Sequence, residues 1–598
     1  MAQSDARFGY KAKLSRADHD LSQPFGFSTP PGFLNPIFAD IASPGDTYYI
    51  NHDLEFLRTA PLAAPAMIDV KVHYESFFVP MQMIYQPFEQ TVFSIQNVFS
   101  SQFNNYYLQG NTFPTFDFWH ALSRCITVGG TARTMAFRLC DLLDLNALNL
   151  CNDTTTLDSD GYVATETYTA YKYHPSFFPW QLLAYHTIFN YYYRLDDKTQ
   201  FDVKLCNFDQ YYGNTNPVQM ESTYEELMFY IHSRPWNFDY FTSSYRSPIV
   251  SAVNTQTILP QGQYSDLISR NTAPITAAGA TAIGDNNGIA AYSSVYASGG
   301  SNIQQAYSTA LIRQAFANEK LAMITGRTRK NYDSQVLAHY GVKVPHDVKH
   351  DISLIGQDTY RLHVGEVTSL ASTTDSALGD LAGKGFASGK SDKPHKFTAP
   401  CHGVVMTIFS IEPVQRYYGG FNRYNAVDNA VDLPLPEFDR LGNQPVYQYE
   451  AGVVESSQTM TQISAWKERY YYFKRRKPRV SIGFWNPANY AGTGGNPNDV
   501  NDWEPYFISS WAYGARGRST RSSSLLQDSY YIQPECMDAL MLVPMRLEWG
   551  TGAGTPADEN WNKFPHLAYC HDPFIVDSNI KVKKVSWMSK DGEPVYPY

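Results

Sequence analysis

The sequence predicts a mainly β protein built on an antiparallel sheet with a second layer packed against it. Three observations carry that expectation. First, Ile68–Pro80, IDVKVHYESFFVP, alternates: Ile68, Val70, Val72, Tyr74 and Phe78 share one side of a strand, and Asp69, Lys71, His73 and Glu75 share the other. One face asks for a core and the other for water or a polar partner, as in an antiparallel sheet with a layer on one side. Second, strand-like stretches occur towards both ends of the chain with helices and long loops between. One sheet assembly closed by its two ends, a single domain over 1–598, is therefore expected rather than a row of domains. Third, the 35 Pro and 38 Gly are scattered throughout, which marks many turns and long loops.

The elements follow in order. Residues 1–28 are polar and basic (Arg7, Lys11, Lys13, Arg16), lack periodicity and read as an arm lying on a surface. Short extended pieces follow up to Pro65, punctuated by the turn Pro44-Gly45-Asp46, and DTYYINHDLEFLRTAP reads as the extended partner of the Ile68 strand. At Phe77 the alternation in that strand gives way to burial on both sides, and Pro80 ends the ladder. Helical spacing is read at Phe88–Phe99, Phe116–Cys125 and Trp180–Arg194, and Ser222-x-x-Glu225 reads as a capping box for a helix to about Ser233. The aromatic segment Arg234–Thr242 breaks that helix. From 251 to 303 only Asp266, Arg270 and Asp285 are charged, so the stretch is either a flexible linker or a long surface excursion. Helices are expected again at Ala306–Thr325, stopped by Gly326, and at Tyr332–Tyr340, stopped by Gly341. HGVVMTIFSI (402–411) is a strand buried on both faces, and 469–484 and 574–588 read as further strands, the last with Ile580 and Val582 opposite Lys581 and Lys583.

Composition narrows the class of function. The aromatic share is 15%, with 44 Tyr and 35 Phe, which suits extensive protein–protein contact. A net charge of −10 excludes a generally basic nucleic-acid binder and leaves room for a local patch. Seven widely spaced cysteines without a C-x-x-C pair suggest neither a disulfide framework nor a zinc cage, and point to a reducing compartment. No apolar signal core opens the sequence, and the longest apolar run, Gly403–Ile411, is too short to cross a bilayer.

No catalytic, metal or cofactor site is read. Asp153, Asp158 and Asp160 lack calcium-loop spacing, and Gly492–Gly495 and Gly514–Gly517 lack a phosphate-loop context. His346 and His350 have zinc-pair spacing but no third ligand and no helix to carry them. The basic clusters are the remaining candidates. Lys467, Arg469, Lys474, Arg475, Arg476, Lys477 and Arg479 interleave with Tyr470, Tyr471, Tyr472 and Phe473, and a second set is Lys581, Lys583, Lys584, Trp587 and Lys590. Cations with aromatic faces suit single-stranded nucleic acid, which offers phosphates and bases to stack. The competing reading is a pair of solvated or acid-paired strand faces.

Several stretches, in order, resemble the major capsid protein of the microviruses, closest to the gokushovirus-like branch. They are DHDLS (18–22), STPPGFLNPIF (28–38), PGDTYYI (44–50), FLRTAPLAAPAMIDVKVHYESFFVP (56–80), HSRPWNFDYFTSSYRSP (232–248), 311–345, HGVVMTIFSIEP (402–413), PEFDRLGNQPV (436–446), AWKERYYYFKRRKPRVSIGFW (465–485) and DPFIVDSNIKV (572–582). The stretch 251–303, the triplet His339-Tyr340-Gly341 and the tail DGEPVYPY depart from the family pattern. The resemblance implies an eight-stranded antiparallel jelly roll with long insertions and with 574–598 as the last strand and tail. The low charge and small residues of 251–303 make that stretch the expected surface protrusion, with 141–176 as the competing candidate. The resemblance also implies copies of the chain assembled into a small icosahedral shell around circular single-stranded DNA. Its partners would be itself, the genome, other virion proteins (small internal DNA-binding, scaffolding or pilot proteins) and a receptor on the bacterial host. The site residues carried forward are Arg7, Lys11, Lys13, Arg16, Lys474, Arg475, Arg476, Lys477, Lys581, Lys583 and Lys584. The rival readings are a ligand-binding β-sandwich and an enzyme of unrecognised type.

Overall fold

A computed structural model describes residues 16–62, 69–85, 130–145, 176–195, 227–245, 351–368, 381–414, 421–427, 432–436, 442–451, 463–479 and 572–588. It also describes 88, 113, 116–117, 122, 125, 320, 324, 337–338, 340–341, 439, 531–532, 534, 536–537 and 590. The strands are β1 (Ala17–Asp20), β2 (Gln23–Thr29), β3 (Asn35–Ala42), β4 (Thr47–Thr59), β5 (Val70–Pro80), β6 (Phe116–Asp117), β7 (Ser176–Phe177), β8 (Ser353–Thr368), β9 (Leu381–Gly389), β10 (His395–Thr398), β11 (Gly403–Pro413), β12 (Asn443–Tyr447), β13 (Ile463–Glu468) and β14 (Phe574–Ser586). The helices are α1 (Met81–Ile84), α2 (Gly130–Leu142), α3 (Trp180–Ile188), α4 (Gln448–Ala451) and α5 (Tyr471–Lys474).

Ten of the strands form one antiparallel sheet in the order β1-β14-β4-β9-β8-β5-β11-β3, with β2 on β14 and β10 on β4. The long strand β8 turns the corner. Its first half pairs with β5 (Val70↔Leu362 to Phe78↔Ser353) and its second with β9 (His363↔Phe386 to Thr368↔Leu381). The sheet curls on itself there. Tyr48, Ile50 and Leu54 of β4 and Val576, Ile580 and Val582 of β14 share one core with Val72, Tyr74 and Phe78 of β5 and Val405, Phe409 and Ile411 of β11. The chain is thus mainly β with a curled antiparallel sheet, the jelly-roll arrangement.

The alternation of β5 explains its place. Val70, Val72, Tyr74 and Phe78 face the inside of the curl, where Tyr74 meets Phe409 edge-on at 5.1 Å and donates to Ser578 Oγ at 3.0 Å. Phe77 and Val79 face outward under α1, α2 and α3, which seal a second core with Val404, Met406 and Ile408 of β11. His73 and Glu75 lie on that outer face and are buried too, so the polar-partner alternative holds. Arg234 donates to Glu75 Oε2 at 2.8 Å and to Ser410 Oγ at 2.9 Å, and Tyr193 also donates to Glu75. His73 Nε2 lies 2.8 Å from Glu412 Oε2 and its Nδ1 3.1 Å from Thr359 Oγ1. Burial of this much charge is sustained because each group has a partner.

Arg234 is delivered by a backbone clasp. Its N–H donates to Gly32 O at 2.7 Å, and Ile532 N–H donates to Arg234 O at 2.9 Å. Gly32 has φ +84° and a Cβ there would stand 2.5 Å from the Ile532 side chain, so the turn needs glycine.

Several expectations are corrected. From Ala17 the N-terminal arm is sheet: β1 and β2 both pair with β14. The strand in DTYYINHDLEFLRTAP does not pair with β5 but with β14, β9 and β10, because alternation gives a strand its faces and not its neighbours. Phe116–Asp117 is a strand rather than the start of a helix. The helix expected to reach Ser233 is over by Phe229, and Ser233 bridges Phe33. In the expected 469–484 strand the described part is instead the turn at Tyr470 and α5, then irregular chain over 475–478, and 480–484 lie outside the described residues. The α3 region runs as read, continuing as a π-helical turn over Phe189–Tyr193. Leu337, Ala338 and Tyr340 are helical, and Gly341 (φ +70°) donates to Leu337 O at 3.0 Å, a glycine helix stop. The strand over 402–411 is β11, buried at every position from Gly403 to Pro413. Outside the described residues lie 151–161, 251–303, His346, His350, both glycine clusters, the tail, all of Phe88–Phe99 but Phe88 itself, and all of Ala306–Thr325 but Lys320 and Ile324.

Candidate nucleic-acid interface

Two segments place cations that the sequence put forward. On β14 the strand alternation points Lys581 and Lys583 outward and Lys584 inward with Ile580 and Val582. Lys581 Nζ lies 2.7 Å from Asp53 Oδ2, and Asp18 receives Lys583 at 3.2 Å and Lys590 at 2.8 Å. The hydrogen bonds from Lys590 and Lys583 hold the Asp18 carboxyl well below the usual carboxylate range. The Asp18 pairs are exposed on both sides and contribute little, whereas the Asp53 carboxylate that Lys581 meets is buried. Lys584 is buried instead. Its ammonium pairs with Asp40 at 2.9 Å and Asp46 at 3.4 Å, donates to Ile41 O at 3.0 Å and sits over the Tyr48 ring. As a surface contact for phosphate it is corrected: it staples β14 to the β3–β4 turn. Arg16 is exposed and reaches the same turn, near Gly45, while Arg7, Lys11 and Lys13 lie outside the described residues.

The second segment follows the β12–β13 hairpin. Tyr470 takes a left-handed conformation (φ 61°) and starts the single turn of α5. Tyr470, Tyr471 and Tyr472 are buried in a third cluster with Tyr240, Phe241, Val446 and Ala465. Tyr471 donates to Glu450 at 2.5–2.6 Å, and burial raises the Glu450 carboxyl despite that bond. These tyrosines are core and offer no faces for bases; Phe473 alone of the four aromatics is exposed. Lys477 is buried as well, donating to Glu450 O at 3.1 Å, and burial pushes it down to about 8. It too is corrected as a phosphate contact. Lys467 is fully buried over the rings of Tyr240 (4.9 Å) and Tyr471 (5.4 Å), also pushed down to about 8 by burial.

The cations left at this surface are Lys474, Arg475, Arg476 and Arg479. Lys474 lies 2.7 Å from Asp439, and Arg475 3.9 Å from Glu468. Arg476 stacks on Tyr424 at 4.4 Å, and among the described residues neither it nor Arg479 has a carboxylate partner. Four exposed cations in six residues, two of them in exchangeable exposed pairs, can meet a polyanion at its backbone. The segment follows the β12–β13 hairpin, a sheet separate from that of β14.

Sequence reasoning missed two polar constellations: the Arg234–Glu75–Glu412–His73 network and a trio of His52, Asp358 and His395 inside the curl. His52 carried a signal. It shares the inward face of β4 with Tyr48, Ile50 and Leu54, a polar side chain on an apolar stripe.

The family model of the phage capsid protein (F protein) matches residues 10–120 and 150–490. The chain belongs to this capsid-protein family. It is the family of the Microviridae major capsid protein, and its members are structural proteins of the virion that assemble into a capsid. No curated protein matches the chain. The second matched segment runs through 251–303, and the match ends before β14, whose pairing with β1, β2 and β4 nevertheless makes it integral to the sheet.

Proposed function

We propose that the chain is the shell subunit of a small icosahedral virion that encloses circular single-stranded DNA and is assembled in the cytoplasm of a bacterial host. The observation that carries this reading is the family match over 10–120 and 150–490 on a curled antiparallel sheet. Exposed Phe238, Phe386, Phe421, Ile575 and Trp587 supply apolar surface that association with copies of the chain would cover. With a net charge of −10, DNA is held locally, by the exposed cations Lys474, Arg475, Arg476, Lys581, Lys583 and the arm residues Arg7, Lys11, Lys13 and Arg16. Binding is sequence-independent, weak per subunit and summed over the shell. Small internal, scaffolding or pilot proteins complete the particle. Residues 251–303 form a surface protrusion that meets the host receptor, in keeping with the gokushovirus-like resemblance.

The test is particle formation and genome retention by the triple variant Lys474→Gln, Arg475→Gln, Arg476→Gln. Wild-type protein should sediment as pentamers or larger species and show shells by electron microscopy. The variant should give intact shells with less nuclease-protected DNA. Its salt slope for single-stranded DNA should flatten by about 2, since each lost contact removes about 0.7. A monodisperse wild-type monomer would overturn assembly, and unchanged retention would overturn the DNA role of this segment.

A further inference from the structure

Inside the curl, three strands bring nitrogen and oxygen donors to one point. His52 stands on β4, Asp358 on β8 and His395 at the start of β10. His52 Nδ1 and His395 Nε2 lie 2.8 and 2.9 Å from the same oxygen, Asp358 Oδ2, and all three donor atoms fall within 4.8 Å of one another. Ser391 Oγ, from the β9–β10 loop, is 3.0 Å from that oxygen. The place is built rather than accidental. Gly356 leaves room for the His395 ring, which a Cβ there would strike at 2.2 Å, and His52 stacks on Tyr74 at 5.5 Å.

We propose that His52, Asp358 and His395 form a divalent-metal site, filled by zinc or a similar ion, that ties β4, β8 and β10 together at the corner of the sheet. Two imidazoles and a carboxylate are a zinc-type donor set, with the fourth position left to water. Zinc–ligand bonds of about 2.0–2.2 Å put tetrahedral ligands about 3.4 Å apart, so each imidazole–carboxylate pair needs to spread by only about half an ångström. His395 and Asp358 are partly exposed, 25% and 20%, and give the ion a way in, while His52 is fully buried and rigid. The second ring nitrogen of His52 is held by Ser76 Oγ at 2.7 Å, itself 2.8 Å from Thr407 Oγ1. When the ion takes Nδ1, the imidazole proton moves to Nε2 and is donated to Ser76, whose own proton turns to Thr407. Such an outer partner orients a metal-binding histidine. The same atoms have the spacing of a serine–histidine–aspartate relay, but Ser76 is fully buried and no substrate can reach it.

The test uses the purified full-length protein, stripped with EDTA and returned to ZnCl2 or CoCl2. Wild type should retain one zinc per chain beyond what His395→Ala retains, and zinc should raise its Tm while leaving that of His395→Ala unmoved. His395→Cys should restore binding and, with cobalt, show the thiolate charge-transfer band of a cysteine-ligated ion. Equal zinc retention by wild type and His395→Ala would overturn the site. So would a His395→Cys protein that gives no such band, a reading that stands even where His395→Ala fails to fold.

Discussion

Replacing Arg234 with Met tests the charge network beneath the helices. The guanidinium is 13% exposed and Glu75 only 1%, so the substitution strands a carboxylate away from water. It removes the bonds to Glu75 at 2.8 and 3.3 Å and to Ser410 at 2.9 Å, and it withdraws the nearest cation from Glu412 at 3.9 Å. Tyr193 and its hydroxyl remain, one neutral donor for a charged group. Breaking a buried pair by removing one partner costs about 3–5 kcal/mol, a large share of a total stability of roughly 5–15 kcal/mol. Urea unfolding followed by tryptophan fluorescence measures the loss. The double variant Arg234→Met, Glu75→Gln should recover on the order of 2 kcal/mol, since the stranded charge is gone. An Arg234→Met protein within about 1 kcal/mol of wild type, or a double variant no more stable than the single, would refute the claim that charge pairing holds this layer.

Lys467 should behave in the opposite way: its buried ammonium has no hydrogen-bond partner among the described residues, so Lys467→Met should stabilise by about 1–3 kcal/mol. A Tm below that of wild type would argue against this. Lys467 and Lys477, both pushed down to about 8, shed their protons earlier in the folded than in the unfolded chain, where lysine titrates at about 10.4. The unfolded state then binds more protons between those values, so wild-type stability should rise from pH 8 towards pH 10, and less so in Lys467→Met. Deleting 255–300 should leave particles that assemble but adsorb poorly to host cells, whereas loss of soluble protein would show the stretch to be part of the scaffold.

The elements legible in the sequence are those whose faces are settled by alternation. β5, β11 and β14 can be read nearly to the residue because each carries a long apolar stripe. Pairing is less legible: the sequence offers β4 as a partner of β5, yet its actual partners β9, β10 and β14 are hundreds of residues away and leave no local trace. The aromatic content of 469–484 suggests a strand, and the left-handed Tyr470 that redirects it has no sequence signature. Within the candidate interface, alternation sets Lys584 on the inward side with Ile580 and Val582, so its burial is there to be read. That of Lys477 is not, since it follows from a tertiary contact with Glu450. The His52 trio is half visible: His52 stands on an apolar stripe, but nothing local to Asp358 or His395 announces that they meet it.

The seat of β14 between β4 and the two short N-terminal strands sets the order of events during synthesis. Lys581 grips Asp53 across 528 residues of chain. At about 5–20 residues per second, a ribosome needs roughly 25–105 s to bridge that interval. Throughout it the β4 edge that β14 will cover has no native partner, and an open edge of that length invites pairing with the wrong chain. Polysomes making several copies side by side would bring such edges together. The nascent subunit therefore has reason to need a holding factor until β14 emerges.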